Sequence, residues 1–562
     1  MEGGRTTSLE EIEARLTGPG GPFEIVEEEV LGVPTAVCKS RLSSLRALLE
    51  GSIARGDDEY IVYDEQRITF AQHAKLVASV AKAFQDLYDI RRGDRVGILA
   101  ANCPEWIISF WAAVSLGAIA VALNGWWKRD EILYGLEHSE PKLLIGDAKR
   151  LARIEGVDVG IPVVSIEGDF DTLSKHDTEA PLPAVPIDED DPAVILYTSG
   201  TTGKPKGAVN THRGILTFAQ LLFFHGLRMI MLAAEKGQQP DPNALPNCNL
   251  YNAPLFHLSG LYTGAVSMLA AGVKTVWMKG RFDAGEVMRV IERERVTVWS
   301  PLGNMGHRLL EHPDLGKYDL GSMRSLGSGG APVSRDVQQR LMDAFPNAKG
   351  SFAVGYGLSE SAGTATVNFG EYLAERPDSV GRPLPTVDIE IRDPDGRSLP
   401  EGEEGEIHIR GPLIMLEYWR NPEATAEVIL PGRWLRTGDI GRLEDGYLYI
   451  NSRARDMILR NAENIHPVEI EQCIEDHPAV SEAAVIGVPH PEWGQEVKAT
   501  VVPVAGARID MGELAAHCAD GLVHFKVPTL WEVREEPLPR NAAGKVLKNV
   551  LSGEAENTFI EE

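Results

Sequence analysis

The stretch Tyr197-Thr198-Ser199-Gly200-Thr201-Thr202-Gly203-Lys204-Pro205-Lys206-Gly207 decides how this chain is read. It follows Ala193-Val194-Ile195-Leu196, a short apolar run that predicts a buried strand. Its glycines let the backbone turn tightly and present N–H groups. Hydroxyls at Thr198, Ser199, Thr201 and Thr202 add donors, and Lys204 and Lys206 add positive charge. Nested amides and ammonium groups both stabilise oxygen anions, so the loop suits a polyphosphate. It is not a Walker loop, because Pro205 stands where G-x-x-x-x-G-K-[S/T] requires a hydroxyl residue. A plain surface loop has similar composition. The strand in front and the paired lysines within favour phosphate binding.

The rest of the composition bounds the protein around that loop. At 562 residues the chain exceeds one ordinary core, so two or more domains are expected. A hydrophobic fraction of 43% with 24% charged residues is that of a soluble globular protein. The formal net charge of -27 argues against nucleic acid or an anionic membrane as partner, although local clusters can still bind anions. The five cysteines, Cys38, Cys103, Cys248, Cys473 and Cys518, are scattered and contain no C-x-x-C pair, which predicts neither a disulfide framework nor a zinc site and fits a reducing cytoplasm. Met1-Glu2-Gly3-Gly4-Arg5 lacks the basic start and apolar block of a signal peptide, and Phe559-Ile560-Glu561-Glu562 is no peroxisomal address. From Trp106 to Trp127 no charge occurs, and that length would cross a bilayer. Pro104-Glu105 reads as a helix start, Gly117 as its stop and Ala118–Leu123 as a strand, so a buried helix–strand pair is expected there and no transmembrane segment.

Ser8-x-x-Glu11 is a capping-box pattern opening one amphipathic helix near the N-terminus. From Arg41 onward, amphipathic stretches alternate with short apolar runs at Val96–Ala100, Ala118–Leu123 and Lys142–Gly146, the sign of strand–helix–strand units and parallel sheets. Between Val387 and Ile409 the pattern turns strand-rich, with Pro394-Asp395-Gly396 as a hairpin turn. The composition changes again near Ser452-Arg453-Ala454-Arg455-Asp456, and the stretch beyond, of about 100 residues, has the size of a domain. Pro467-Val468-Glu469 starts a helix there, and Val485–Val488 and Ala499–Val502 read as strands.

Further segments are equipped for chemistry. Gly327-Ser328-Gly329-Gly330-Ala331-Pro332 would let a flat ring lie against bare backbone, or be only a tight turn. In Gly355-Tyr356-Gly357-Leu358-Ser359-Glu360 an aromatic can stack on a base, and a carboxylate four residues on can hold a divalent cation. A hydrolase elbow fails here, because Ser361 occupies the last required glycine. Trp434-Leu435-Arg436-Thr437-Gly438-Asp439 ends in a carboxylate suited to two neighbouring hydroxyls, and Pro539-Arg540-Asn541-Ala542-Ala543-Gly544-Lys545 carries a lysine on a glycine loop, ordinarily a solvated surface charge.

Together, in this order, these segments resemble the adenylate-forming superfamily, which includes acyl-CoA synthetases, peptide-synthetase adenylation domains and luciferases. The resemblance implies an α/β fold: a large N-terminal domain, 1–453, of α/β subdomains with parallel sheets plus a small β-barrel-like part, and a small mobile α+β C-terminal domain, 454–562. It implies ATP bound by Thr198, Ser199, Gly200, Thr202, Gly203, Lys204 and Lys206, with adenine along Gly329, Gly330, Ala331 and Pro332 and flanked by Tyr356, Gly357 and Ser359. Asp439 and Arg453 would hold the ribose, and Glu360 with Thr201 would meet Mg²⁺. Thr201, Glu360 and Lys545 would be catalytic, Lys545 gripping the carboxylate and α-phosphate, with Arg455 at the hinge. Pro254-Leu255-Phe256-His257 resembles the segment shaping the acyl pocket, with His257 as wall or gate and not as a base. Trp299, Gly303, Phe352, Val354 and Gly355 would line the rest, and the small Gly303 and Gly306 favour a long or wide acid over acetate.

The expected reaction joins a hydrophobic carboxylic acid, fatty, aryl or steroid side-chain, to coenzyme A at the expense of ATP, in an enzyme that could pair as a homodimer. Alternatives are transfer of the acyl group to a carrier protein, a luciferase-type oxygenase, an amino-acid-activating domain, and a non-catalytic acyl-adenylate sensor. No acidic group for a substrate amine occurs around Phe256 and His257, and Glu360, Asp439 and Lys545 are all retained. One departure stands out: Asn461-Ala462 replaces the Gly-Gly that the family places before Glu463-Asn464, beside the pantetheine tunnel.

Overall fold

The structure is a computed structural model and describes residues 8–198, 204–238, 244–302, 304–329, 335–460, 463–504, 506–541 and 544–555. Three large sheets organise the chain. The first has seven strands. Pro192–Thr198, Ile119–Ala122, Arg95–Leu99, Leu143–Gly146 and Val163–Ser165 run parallel, and Lys206–Thr211 and Glu417–Tyr418 close one edge antiparallel. Strands buried on both faces read as continuous apolar runs, and Ile119-Ala120-Val121-Ala122 and Leu143-Leu144-Ile145-Gly146 are buried at every position.

The charge-free stretch resolves into the helix Pro104–Ser115 and the strand Ile119–Ala122, with Trp106, Phe110 and Trp111 fully buried. Its apolarity serves this core, as the sequence predicts. A different helix, His212–Glu235, is long and apolar enough to cross a membrane, a feature the sequence reading did not single out. Its first half is buried in the fold, and its second half takes the N-terminal helix Leu9–Thr17, held by Arg228–Glu13 and Arg15–Glu235 ion pairs. The capping box on Ser8 forms as expected: Glu11 N–H donates to the Ser8 hydroxyl at 3.2 Å and Ser8 N–H to the Glu11 carboxylate at 3.0 Å.

The second sheet begins as a parallel array. Glu59–Tyr63, Lys274–Trp277, Cys248–Tyr251, Val298–Trp299, Ser325–Gly329 and Ala353–Leu358 lie side by side, with Gln66–Thr69 antiparallel at the outer edge. Beyond them Gly363–Phe369, Ser379–Pro383, Tyr447–Arg453, Trp434–Glu444, Gly405–Arg410 and Asp388–Arg392 continue the sheet antiparallel. This is the strand-rich stretch read from the sequence, and the turn before Gly396 (φ 81°) lies where Pro394-Asp395-Gly396 predicts it.

The third sheet is confined to the C-terminal part. Glu463–Ile465, Ile458–Arg460, Gly494–Pro503 and Val480–His490 pair antiparallel, and Leu530–Val533 joins parallel. The helices Pro467–Glu475 and Met511–Gly521 cover it over a separate core of Ile470, Ile474, Val485, Val497, Val501 and Leu514. The second sheet's last strand ends at Arg453 and the third sheet's first starts at Ile458.

Candidate active site

In sheets built from parallel strands, ligands bind beyond the carboxyl ends, where loops leave the sheet together. Four neighbouring strands of the second sheet deliver the predicted segments in this way. Cys248–Tyr251 leads to His257, Val298–Trp299 to the wall segment, Ser325–Gly329 to the glycine turn, and Ala353–Leu358, which carries Tyr356, to Ser359 and Glu360. The phosphate-loop strand Pro192–Thr198 belongs to the first sheet. It returns at once as the antiparallel strand Lys206–Thr211, a hairpin the sequence reading did not foresee. Ser199, Gly200, Thr201, Thr202, Gly203, Gly303, Gly330, Ala331 and Pro332, like Asn461 and Ala462, lie outside the described residues.

The two sheets meet at Glu360. Its backbone carbonyl accepts the Met415 N–H at 2.8 Å, and its carboxylate accepts the Tyr418 hydroxyl at 2.8 Å. Lys206 lies over the Tyr418 ring, 5.2 Å from its centroid, so the loop cation and the carboxylate share one aromatic spacer. Lys204 packs over Tyr134 at 4.9 Å. Thr198 donates its hydroxyl to the Lys206 carbonyl at 3.4 Å, bracing the base of the loop. Tyr134 and Tyr418 were not anticipated, since a single tyrosine in a helix or beside a tryptophan carries no pattern of its own. Gly357 needs to be glycine: a Cβ there would lie 1.8 Å from the Gly363 carbonyl oxygen on the paired strand.

Asp439 is 4% exposed and faces Arg453 in strand register. It accepts the Tyr356 hydroxyl at 2.7 Å and lies 3.4 Å from the Arg453 Nε, while its own N–H donates to the Thr437 hydroxyl at 3.1 Å. Burial, then the Asp439 charge, pushes the Tyr356 phenol well above its ordinary pKa, so it stays a donor. Tyr356 is therefore tied by its hydroxyl to the carboxylate expected to hold ribose.

Of the expected pocket residues, Trp299 and Phe352 are each 1% exposed and belong to one hydrophobic core cluster with Leu250, Met288 and Leu326. Trp299 stacks on Phe282 and donates its indole N–H to Asn252 at 3.0 Å. Val354 packs against the same core, and a Cβ on Gly355 would press on Thr364 at 2.9 Å. His257 accepts the Ser259 N–H at Nδ1, 3.3 Å away, with the Ser259 hydroxyl at 2.8 Å, which places its proton on Nε2. Burial first, then repulsion from Lys545, lowers its pKa to about 4, so it is neutral. A π-helix, Ser259–Ser267, follows directly, a rare backbone form frequent at functional sites.

That repulsion shows where Lys545 lies. Its loop is closed by Gly544 at φ 78°, and Lys545 N–H donates to the Asn541 side chain at 3.0 Å. Contrary to the ordinary reading of a glycine-loop lysine, the side chain is half-buried and faces the large domain. Desolvation, then the charge of Arg453, lowers its pKa to about 8, while Asp439 and Glu360 oppose the shift. Arg455 contributes further repulsion from the segment between the second and third sheets. Lys545, carried by the C-terminal part, thus lies within electrostatic range of Glu360, Asp439, Arg453 and His257 across the seam with the large domain. Across it His466 reaches the Ser452 hydroxyl at 2.8 Å and Glu404 at 3.0 Å.

An α/β scaffold with a lysine brought by a second domain into range of two carboxylates is the plan of an adenylate-forming enzyme. Residues 51–419 match the AMP-binding enzyme family and residues 469–545 the AMP-binding enzyme C-terminal domain, and the chain belongs to that family. It is 35% identical over 482 residues to a feruloyl-CoA synthase of Amycolatopsis sp, covering 86% of this chain and 92% of the relative. It is 33% identical over 491 residues to the long-chain-fatty-acid–CoA ligase FadD13 of Mycobacterium tuberculosis, covering 86% and 92%. The crystal structure of ATP-bound MatB from Rhodopseudomonas palustris superposes with a TM-score of 0.79 at 29% identity, covering 91% of this chain and 99% of that one. The protein is an AMP-forming acid–CoA ligase.

Proposed function

We propose that the enzyme activates a hydrophobic carboxylic acid, of at least medium chain or carrying a ring, as its acyl-adenylate and passes it to coenzyme A. The observation that carries this reading is Lys545 facing Glu360 and Asp439 from the C-terminal part. In the first half-reaction a carboxylate oxygen attacks the ATP α-phosphorus and pyrophosphate leaves. The carboxylate is already a nucleophile, so the protein supplies placement and charge neutralisation. Lys545 neutralises the oxyanions at the α-phosphorus, Lys204 and Lys206 steady the outgoing phosphates, and Asp439 with Arg453 fixes the ribose. Neutral His257 walls the acid and adds no charge beside its carboxylate. Mg²⁺ typically takes one or two carboxylates and leaves other positions to phosphate and water. The single carboxylate of Glu360, joined by the Thr201 hydroxyl that the family resemblance assigns to the ion, fits that donor set, and the ion would neutralise phosphate charge. In the second half-reaction the CoA thiol displaces AMP after the C-terminal domain, 454–562, turns about Arg455. The reaction requires no secreted or membrane-borne partner, in keeping with a cytoplasmic enzyme.

Two outcomes follow. Adenylation needs protonated Lys545, whose pKa is about 8 without ligands. Its kcat/KM should therefore fall as pH rises through about 8, and the limb for kcat should lie higher, because bound phosphate favours the ammonium. Thioester formation from supplied acyl-AMP should lack this limb. A flat adenylation profile to pH 9.5 would remove Lys545 from the chemistry. For substrate class, ATP–pyrophosphate exchange across acetate, amino acids, C6–C18 fatty acids, cinnamic-type acids and steroid side-chain acids should peak at a hydrophobic acid larger than butyrate. A maximum at acetate or a free amino acid would overturn the pocket assignment.

A further inference from the structure

Asn304 stands at the N-cap of the helix Met305–Leu310, a position where asparagine normally accepts a hydrogen bond from its own helix. It makes no such bond. Its side-chain amide instead crosses the domain seam and donates to Glu482 Oε1 at 3.2 Å. The other carboxylate oxygen, Oε2, accepts Arg540 Nη2 at 2.8 Å, and Arg540 Nη1 donates to the Gly544 carbonyl at 2.7 Å, the residue before Lys545. One turn along the same helix, His307 Nε2 meets the Ser481 hydroxyl at 2.8 Å. Successive residues of a strand ordinarily point to opposite faces. The register shift between Val480 and Glu482 lets Ser481 and Glu482 both reach the one helix. Glu482 is 6% exposed, and the next residue, Ala483, is fixed by donating its N–H to Glu475 at 3.2 Å.

We infer that Glu482 and Arg540 are positioning residues that couple the wall of the acyl pocket, through Asn304, to the placement of Lys545. The inference rests on the acyl-adenylate reading above and deepens it. Asn304 follows the segment from Trp299 that is expected to border the acid, so an acid seated there bears on Asn304 and, through Glu482 and Arg540, on the loop that carries Lys545. The contact exists only while the C-terminal part lies against Met305–Leu310. It therefore favours the orientation for adenylation and is broken when that part turns for thioester formation.

Exchange of donor and acceptor across the seam tests this with nearly constant shape. Asn304→Asp sets a carboxylate against Glu482 and should slow single-turnover acyl-AMP formation about tenfold or more, with the acid KM changed less than threefold. Thioester formation from supplied acyl-AMP and CoA should stay within twofold of wild type. The double variant Asn304→Asp/Glu482→Gln restores a donor facing an acceptor and should recover to within about threefold of wild type. Three results would overturn the inference: equal slowing of both half-reactions, unchanged adenylation in Asn304→Asp, or a double variant no faster than the single one. Wild-type enzyme that forms no acyl-AMP with any acid would instead defeat the functional reading on which the inference rests.

Discussion

Lys545→Ala should slow acyl-AMP formation by roughly 10²–10³, the usual loss when one preorganised donor to a developing oxyanion is removed. The same variant, given acyl-AMP and CoA, should form thioester at close to the wild-type rate, because the lysine has by then left with its domain. Both half-reactions are measured by rapid quench, and equal damage to the two would exclude a rotating lysine. Stability supplies an independent sign. The folded pKa of Lys545, about 8, is below the lysine norm of 10.5, so its charge opposes folding in full below pH 8, and that cost fades as pH rises from 8 to 10.5. The variant should therefore melt at a temperature equal to or above wild type at pH 7, with the gain vanishing in alkali. A lower melting point at pH 7 would show that the lysine is a structural tie.

Gly357→Ala should be among the most damaging single-methyl changes in the chain. The new Cβ would meet the Gly363 carbonyl oxygen at 1.8 Å, a backbone atom that cannot swing aside as a side chain does. Retreat of the partner strand has little room as well, since Gly363, at φ 138°, lies beside the Phe218 ring, whose Cδ2 is only 2.4 Å from where a Cβ on Gly363 would stand. The cost falls at the upper end of overpacking, about 3 kcal/mol. The strand that would move carries Tyr356 and leads to Glu360, so adenylation should fall even in molecules that remain folded. Chemical denaturation and pyrophosphate exchange read the two effects separately. A midpoint and rate within error of wild type would mean that the two strands are not so tightly joined.

The sequence made the site legible where a residue type is chemically committed. Glycine loops, an aspartate after Thr437-Gly438 and a lysine after Gly544 announce themselves because few other roles need them in that setting. Parallel strands were legible as unbroken apolar runs, as at Leu143–Gly146. Three things were not. The strand Lys206–Thr211 returns antiparallel from the loop, yet Lys206-Gly207-Ala208-Val209-Asn210-Thr211 has too little alternation to signal an edge-side strand. The packing of Trp299 is long-range: it stacks on Phe282, 17 positions away, and nothing in Val298-Trp299-Ser300 names that partner. The low pKa of Lys545 arises from burial and then from the charge of Arg453, about 90 positions away, and no local pattern encodes a domain interface.

The fate of ATP distinguishes an adenylating ligase most directly. Enzyme is mixed with ATP, Mg²⁺, CoA and the best acid from the panel, and nucleotides and thioester are quantified chromatographically through one turnover. AMP, pyrophosphate and acyl-CoA should appear in equal amounts, and leaving out CoA should halt the reaction at enzyme-bound acyl-AMP. ADP and phosphate formed in step with acid consumption would contradict adenylation.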